Sequence, residues 1–188
     1  MEKTSKAQTN LSGYNNDWYK PGNVLKRVLW YLAGRVFVDT YLPIPISVKI
    51  LILRIFGAKI GDKVVIKPKV NIKYPWFLIV GQNTWIGEKV WIDNLGIVTL
   101  GANVCLSQEC YLLTGNHDYT KSKFDLIVKP VTIENGAWIG AKAVVCPGVT
   151  VSSHAVLAVS SVATKDLDPY SIYQGNPAVY IKSREITN

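Results

Sequence analysis

Histidine is scarce in this chain, whose 188 residues hold only His117 and His154. A zinc centre built from three imidazoles is therefore excluded. Cysteine is nearly as rare. Cys105, Cys110 and Cys146 are odd in number and irregular in spacing, which rules out a disulfide framework and a cysteine-rich metal cluster. A reducing compartment follows. Acidic residues are outnumbered 13 to 21 by Lys and Arg, for a net charge of +8. Such an excess points to an anionic partner: nucleic acid, a membrane surface or a phosphorylated small molecule. The chain has no long Lys/Arg run and no recognisable nucleic-acid module, so nucleic acid is not expected. Nor is there a long apolar run. Val36 to Phe56 is the most apolar stretch of the N-terminal region, but it carries Asp39, Lys49 and Arg54 and is interrupted by Pro43 and Pro45. That is too broken for a spanning helix and suits a segment lying on the protein or on a membrane surface. Met1 to Asp17 lacks the apolar core of a signal peptide. The expected location is cytoplasmic, with peripheral contact at the inner face of the cytoplasmic membrane as a further expectation.

What the chain does have is enough apolar residues, 48%, for one packed domain with an N-terminal attachment. Residues 1–57 read as an irregular arm to Gly22 and then two helices. Leu25, Val28, Leu29, Leu32 and Val36 recur at offsets of three and four, which predicts one apolar face. Pro43 and Pro45 break this helix. A second is predicted from Ser47 to Phe56, with Val48, Leu51, Ile52 and Ile55 on its buried face and Gly57 as its stop.

From Ile60 the period becomes six. Ile60-Gly61-Asp62-Lys63-Val64-Val65 is followed by hexads opening at Ile66 and Ile72. The register returns at Val80, Ile86 and Ile92, and again at Leu100, Leu106 and Leu112. After a gap it runs unbroken through Ile133, Ile139, Val145, Val151, Leu157 and Ala163. The first place is aliphatic, the second often small or acidic, and the fifth small or β-branched. Neither a helix nor an isolated strand has this period. The reading is an all-β solenoid over residues 58–168, with three hexads per triangular coil and coils stacked through parallel ladders. The spacing does not set the hand, although the general crossover preference favours a right-handed coil. Residues 169–188 leave the repeat as a short cap and tail, with Ala178 to Arg184 expected as a helix or strand.

The repeat fails at about 114–130, in a polar segment that reads as a loop expelled from the coil. A loop of this length inside a regular solenoid is usually functional. It carries His117, the side chain best matched to proton transfer near neutral pH. His154 falls in a fourth, outward turn place and reads as a solvated turn residue. Cys110 occupies an inward fifth place, and Cys105 and Cys146 have no basic neighbour in sequence, so none suits a thiolate nucleophile. Asp93 and Asn94 lie at a two-residue bulge one coil below His117, where they either project into a cleft or form a simple turn. Lys165, Lys182 and Arg184 could meet phosphates. Trp138 is an outward aromatic on a solenoid wall.

The hexads, the loop Thr114-Gly115-Asn116-His117-Asp118 and the tail Gly175-Asn176-Pro177-Ala178 together resemble the hexapeptide-repeat acetyltransferases. Phe56-Gly57-Ala58-Lys59-Ile60-Gly61 and Lys73-Tyr74-Pro75-Trp76 are closer to the colanic-acid biosynthesis members. The resemblance implies a left-handed parallel β-helix and a homotrimer with sites between subunits. It implies acetyl-CoA as co-substrate, no metal, and a saccharide acceptor of the kind used in exopolysaccharide biosynthesis. His117 matches the family's catalytic base, which acts in a ternary complex, and backbone N–H groups would hold the oxyanion. Asp93 falls near the family's acceptor-binding asparagine. Trp138, Ala141, Val159, Thr164, Lys165 and Lys182 match positions along the coenzyme. Asp118 stands where galactoside enzymes have proline, which suggests a different acceptor. Other readings are an acyltransferase acting on an amino-sugar or another small acceptor, and a non-catalytic scaffold. An ice-binding solenoid would need a regular threonine ladder, and none is legible in the spacing.

Overall fold

The computed structural model describes residues 7–187, so the first six residues of the N-terminal arm and Asn188 lie outside it. From Lys59 the chain winds as a triangular prism with three parallel sheets for walls. The first wall stacks Lys59–Ile60, Leu78–Val80, Val98–Leu100, Val131–Ile133 and Thr150–Val151. The second stacks Val65–Ile66, Trp85–Ile86, Cys105–Leu106, Trp138–Ile139 and Val156–Leu157, and ends in the antiparallel pair Ser171–Gly175 and Ala178–Ser183. The third stacks Asn71–Ile72, Trp91–Asp93, Tyr111–Leu113, Val144–Val145 and Val162–Ala163.

The hexad places have distinct physical tasks. First-place residues such as Ile66, Ile86, Leu106, Ile139 and Leu157 form the core and are at most 1% exposed. Fourth-place residues turn the corner in the left-handed backbone region; Lys63, Asn83, Asn103, Lys142 and His154 all have φ between 53° and 60°. Second-place glycines allow the coils to touch. A Cβ on Gly81 would lie 2.5 Å from both Ala102 N and Gly101 C, backbone atoms that cannot yield. Register shows the coil lengths: Ile60 pairs with Val80 and Val80 with Leu100, but Leu100 pairs with Ile133 and Ile133 with Val151. The third coil therefore carries the insertion. One consequence was invisible in the spacing, because that insertion interrupts it: Thr99, Thr132 and Thr150 stack in one column on the first wall.

The helices are α1, Val24–Phe37, and α2, Ile46–Ile55. The Asn23 side chain caps α1 by accepting from Leu25 N–H, and Gly57, at φ 102°, ends α2. They close the bottom of the prism, where the first coil has no coil beneath it. Each first-coil strand offers an unpaired carbonyl there, and each receives one helix side chain. Arg54 donates to Ile60 O at 2.6 Å, Lys49 Nζ to Ile66 O at 3.3 Å, and Trp30 Nε1 to Ile72 O at 2.9 Å. An exposed sheet edge is thereby covered.

This geometry turns the α1 stripe outward and breaks up the buried face expected of α2, where Val48 is half-buried. Trp30 and Gly34 are the buried residues of α1, while Leu25, Val28, Leu29, Leu32 and Val36 face away from the core. In α2 the buried pair is Lys49 and Leu53; Leu51 and Ile55 are exposed, and Ile52 packs only in part. Periodicity found the stripe but not its direction. The indole and ammonium donors that satisfy the coil edge decide which face turns inward.

Candidate active site

The corner between the third and first walls is the irregular edge of the prism. It holds Lys73 to Phe77 in the first coil, Asn94 to Ile97 in the second and residues 114–130 in the third. The last of these is an ordered hairpin, in which Gly115–His117 pairs antiparallel with Leu126–Val128. Its base is tied down where Lys129 N donates to Thr114 O at 2.9 Å.

His117 is half-buried at the end of this hairpin. Its Nδ1 lies 2.8 Å from the Phe124 carbonyl oxygen, and its ring stacks on the Phe124 ring at 4.5 Å with planes 11° apart. A carbonyl can only accept, so Nδ1 carries the proton and Nε2 is left with a lone pair. The carbonyl and the ring together fix both tautomer and orientation. Asp118, its sequence neighbour, takes no part. Its carboxylate accepts from Thr120 Oγ1 and N, which holds it below the usual carboxylate range.

His117 faces a cavity of about 480 Å³. It is lined by Lys73, Tyr74 and Leu95 of the coils, by Asp17, Tyr19 and Lys20 of the N-terminal arm and Arg27 of α1, and by Tyr14, whose ring packs against the His117 ring at 5.6 Å. Tyr19 OH donates to Leu95 O at 2.8 Å and pins the arm in place. Burial, with Tyr74 and Asp93 nearby, pushes the Tyr19 phenol up, so it remains a donor. The arm was read as irregular, and its part in the cavity was missed. Its density of aromatic and charged side chains was the available signal.

The two acceptor candidates separate. Asp93 lies across Lys73 from this cavity, in an adjoining one of about 370 Å³ that shares Arg27, Lys73 and Tyr74 with it. Lys73 Nζ is 2.8 Å from Asp93 Oδ1, and Tyr111 OH is 3.2 Å from Oδ2. Burial and that carboxylate push the Tyr111 phenol up to about 12. Asn94 is fully buried, and its amide brackets Tyr74, accepting from Tyr74 N at 2.9 Å and donating to Tyr74 O at 2.7 Å. An acceptor finds no free group there. Asn94 positions the Tyr74 that lines the cavity.

The coenzyme candidates fall on two corners. Ala141 and Val159 stack at the corner between the second and third walls, where Ser160 N donates to Ala141 O. Trp138 stands on the second wall beside them, half-exposed, with Nε1 donating to Ser107 Oγ at 2.8 Å. Lys182 lies on the outermost strand of that wall. Thr164 and Lys165 are exposed at the other corner, the one that carries the His117 hairpin. One chain does not bring His117 to Ala141 and Val159. His154 stacks on Tyr170 at 4.6 Å at the remaining corner, between the first and second walls, apart from both of these.

The chain is similar to WcaF of Escherichia coli strain K12, a protein provisionally named as a colanic acid biosynthesis acetyltransferase. The two are 36% identical over 175 residues, covering 93% of this chain and 96% of that one. It is 30% identical over 128 residues to the galactoside O-acetyltransferase of the same strain, covering 66% and 63% of the two chains. No family model matches. A hexapeptide-repeat acetyltransferase of Vibrio cholerae, solved with acetyl coenzyme A, superposes with a TM-score of 0.78 at 23% identity, covering 94% of this chain and 96% of that one. These folds are left-handed coils. The general crossover preference gives way here because strands of two or three residues carry little twist to impose it. From its hexads, its hairpin and these relatives, the chain belongs to the hexapeptide-repeat acetyltransferases.

Proposed function

We propose that this acetyltransferase moves the acetyl group of acetyl-CoA onto a sugar hydroxyl, with His117 as general base. The carrying observation is the 2.8 Å contact between His117 Nδ1 and Phe124 O, which leaves Nε2 as the basic nitrogen of a ring that lines the cavity. Nε2 takes the hydroxyl proton as the oxygen attacks the thioester carbonyl, and a C–O bond forms. The C–S bond then breaks, and the imidazolium returns the proton to the departing sulfur. No acyl-enzyme is formed. The N–H groups of Ala141 and Val159 make no hydrogen bond among the described residues and are free to face the coenzyme or the oxyanion. A cavity of aromatic faces, Tyr14 and Tyr74, among charged groups, Asp17, Lys20, Arg27 and Lys73, suits the apolar ring face and hydroxyl rim of a saccharide. The name of WcaF favours a sugar of an exopolysaccharide, and that of the galactoside enzyme a sugar hydroxyl as acceptor.

The split between corners supports a homotrimer in which one subunit's His117 meets its neighbour's Ala141 and Val159. Mixing tests this. His117→Ala and Ala141→Trp should each be inactive as pure proteins, measured by CoA thiol release with a panel of sugars. Co-assembled one to one, about a quarter of the sites regain both native residues. Recovery of activity to that level is expected. Two inactive variants that stay inactive together would place the whole site within one chain.

A further inference from the structure

The stripe that α1 turns outward has no counterpart in the described structure. Leu25, Val28, Leu29, Leu32 and Val36 are between 49% and 65% exposed. In α2, Leu51 is 57% exposed and Ile55 66%. A contiguous apolar face of this kind marks a contact surface. Its charge setting tells which kind. Residues 17–73, the helices with the arm's end and the first coil, hold eleven of the chain's 21 basic residues and three of its 13 acidic ones. The remainder holds ten of each, so the whole +8 excess sits in this third. On the α1 helix Lys26 lies over the Trp76 ring at 4.5 Å and Arg35 pairs with Asp39, so the charge left to meet an anionic surface comes from the first coil. Lys59 and Lys67, on the first coil against which α2 packs, are exposed and make no ion pair among the described residues.

We propose that α1 and α2 seat the enzyme on the surface of a bilayer containing anionic phospholipid. A second copy fits this face less well, because it would bring two equally basic regions together. No helix among the described residues is long and apolar enough to cross a membrane, so the contact is interfacial. The same helix lines the His117 cavity with Arg27 on its inner side. Its outer face therefore holds the acceptor cavity beside the lipid surface, where a lipid-borne acceptor would arrive.

The test is co-sedimentation of the full chain with vesicles. Phosphatidylcholine vesicles with about a third phosphatidylglycerol should retain the protein, pure phosphatidylcholine should not, and raised salt should weaken binding. Leu29→Glu/Leu32→Glu, two already exposed positions, should lower the partition coefficient by about tenfold or more. It should leave the thermal transition, the mass by light scattering and CoA release with a soluble sugar unchanged. Lys59→Glu/Lys67→Glu keeps the apolar face and should weaken binding to the anionic vesicles. Failure of the native protein to sediment with anionic vesicles overturns the proposal, as does full binding by both variants. A change of oligomeric mass in Leu29→Glu/Leu32→Glu also overturns it, by making the face a subunit contact. None of these outcomes depends on the identity of the acceptor.

Discussion

Replacing His117 with alanine should separate catalysis from architecture. The imidazole contributes one hydrogen bond to Phe124 O, one stacked face on the Phe124 ring and a tilted contact at 5.6 Å with the Tyr14 ring of the arm. Losing a half-exposed bond and a stacking contact costs about 1–2 kcal/mol, and locally. The core is made mainly of first- and fifth-place coil residues with a few from the helices, and none of them lies in the hairpin, so the global transition should move little. Catalysis should suffer far more. A positioned general base is worth about 10²–10⁴-fold, or roughly 3–5.5 kcal/mol of barrier. Turnover should therefore fall by at least about a hundredfold while KM for acetyl-CoA stays within a few-fold, because Ala141 and Val159 are untouched. The assay is CoA thiol release under saturating acetyl-CoA and the best sugar of a panel, with thermal unfolding of the same preparation. A variant that keeps more than about a tenth of native turnover would refute the base assignment. A loss of turnover that accompanies general unfolding would refute the claim that the hairpin stands outside the core.

Three further perturbations address the scaffold. Trp30→Phe removes the donor to the Ile72 carbonyl and part of a buried ring. It should cost about 2–4 kcal/mol in urea unfolding with the slope unchanged, and a cost under about 0.5 kcal/mol would show that the indole does not cap the coil edge. Gly81→Ala places a Cβ 2.5 Å from the backbone of the next coil and should cost about 2 kcal/mol, seen as a melting point lowered by roughly 4–8 °C at fixed protein concentration. An unchanged melting point would mean that the coils can part without penalty. Burial lowers the Lys49 pKa from its ordinary 10.5, so the unfolded chain binds more protons at this site as pH approaches that value. The native protein should therefore gain stability relative to Lys49→Met as pH rises from the lowered value toward 10.5. A difference that is flat with pH would show that the ammonium is not desolvated.

The sequence by itself determined the coil. A six-residue period is a local rule. An aliphatic first place, a left-handed fourth and a small fifth each meet the same need in every turn, so repetition makes them legible. It also isolated His117, because the break in that rule falls on one of only two histidines. Tertiary structure decided whatever depends on partners distant in sequence. Trp30 reaches Ile72 across 42 positions, and that bond turned the apolar stripe of α1 outward. Asn94 spends its amide on Tyr74, twenty residues earlier, and so braces the cavity without an open group for a ligand. Thr132 meets Thr99 only after the third coil has carried its hairpin out and back. The arm reaches the histidine's cavity through Tyr19 and Leu95, 76 residues apart. A periodic pattern records which side chains share a face. The direction of that face is set by which buried donors and acceptors must be satisfied across the fold.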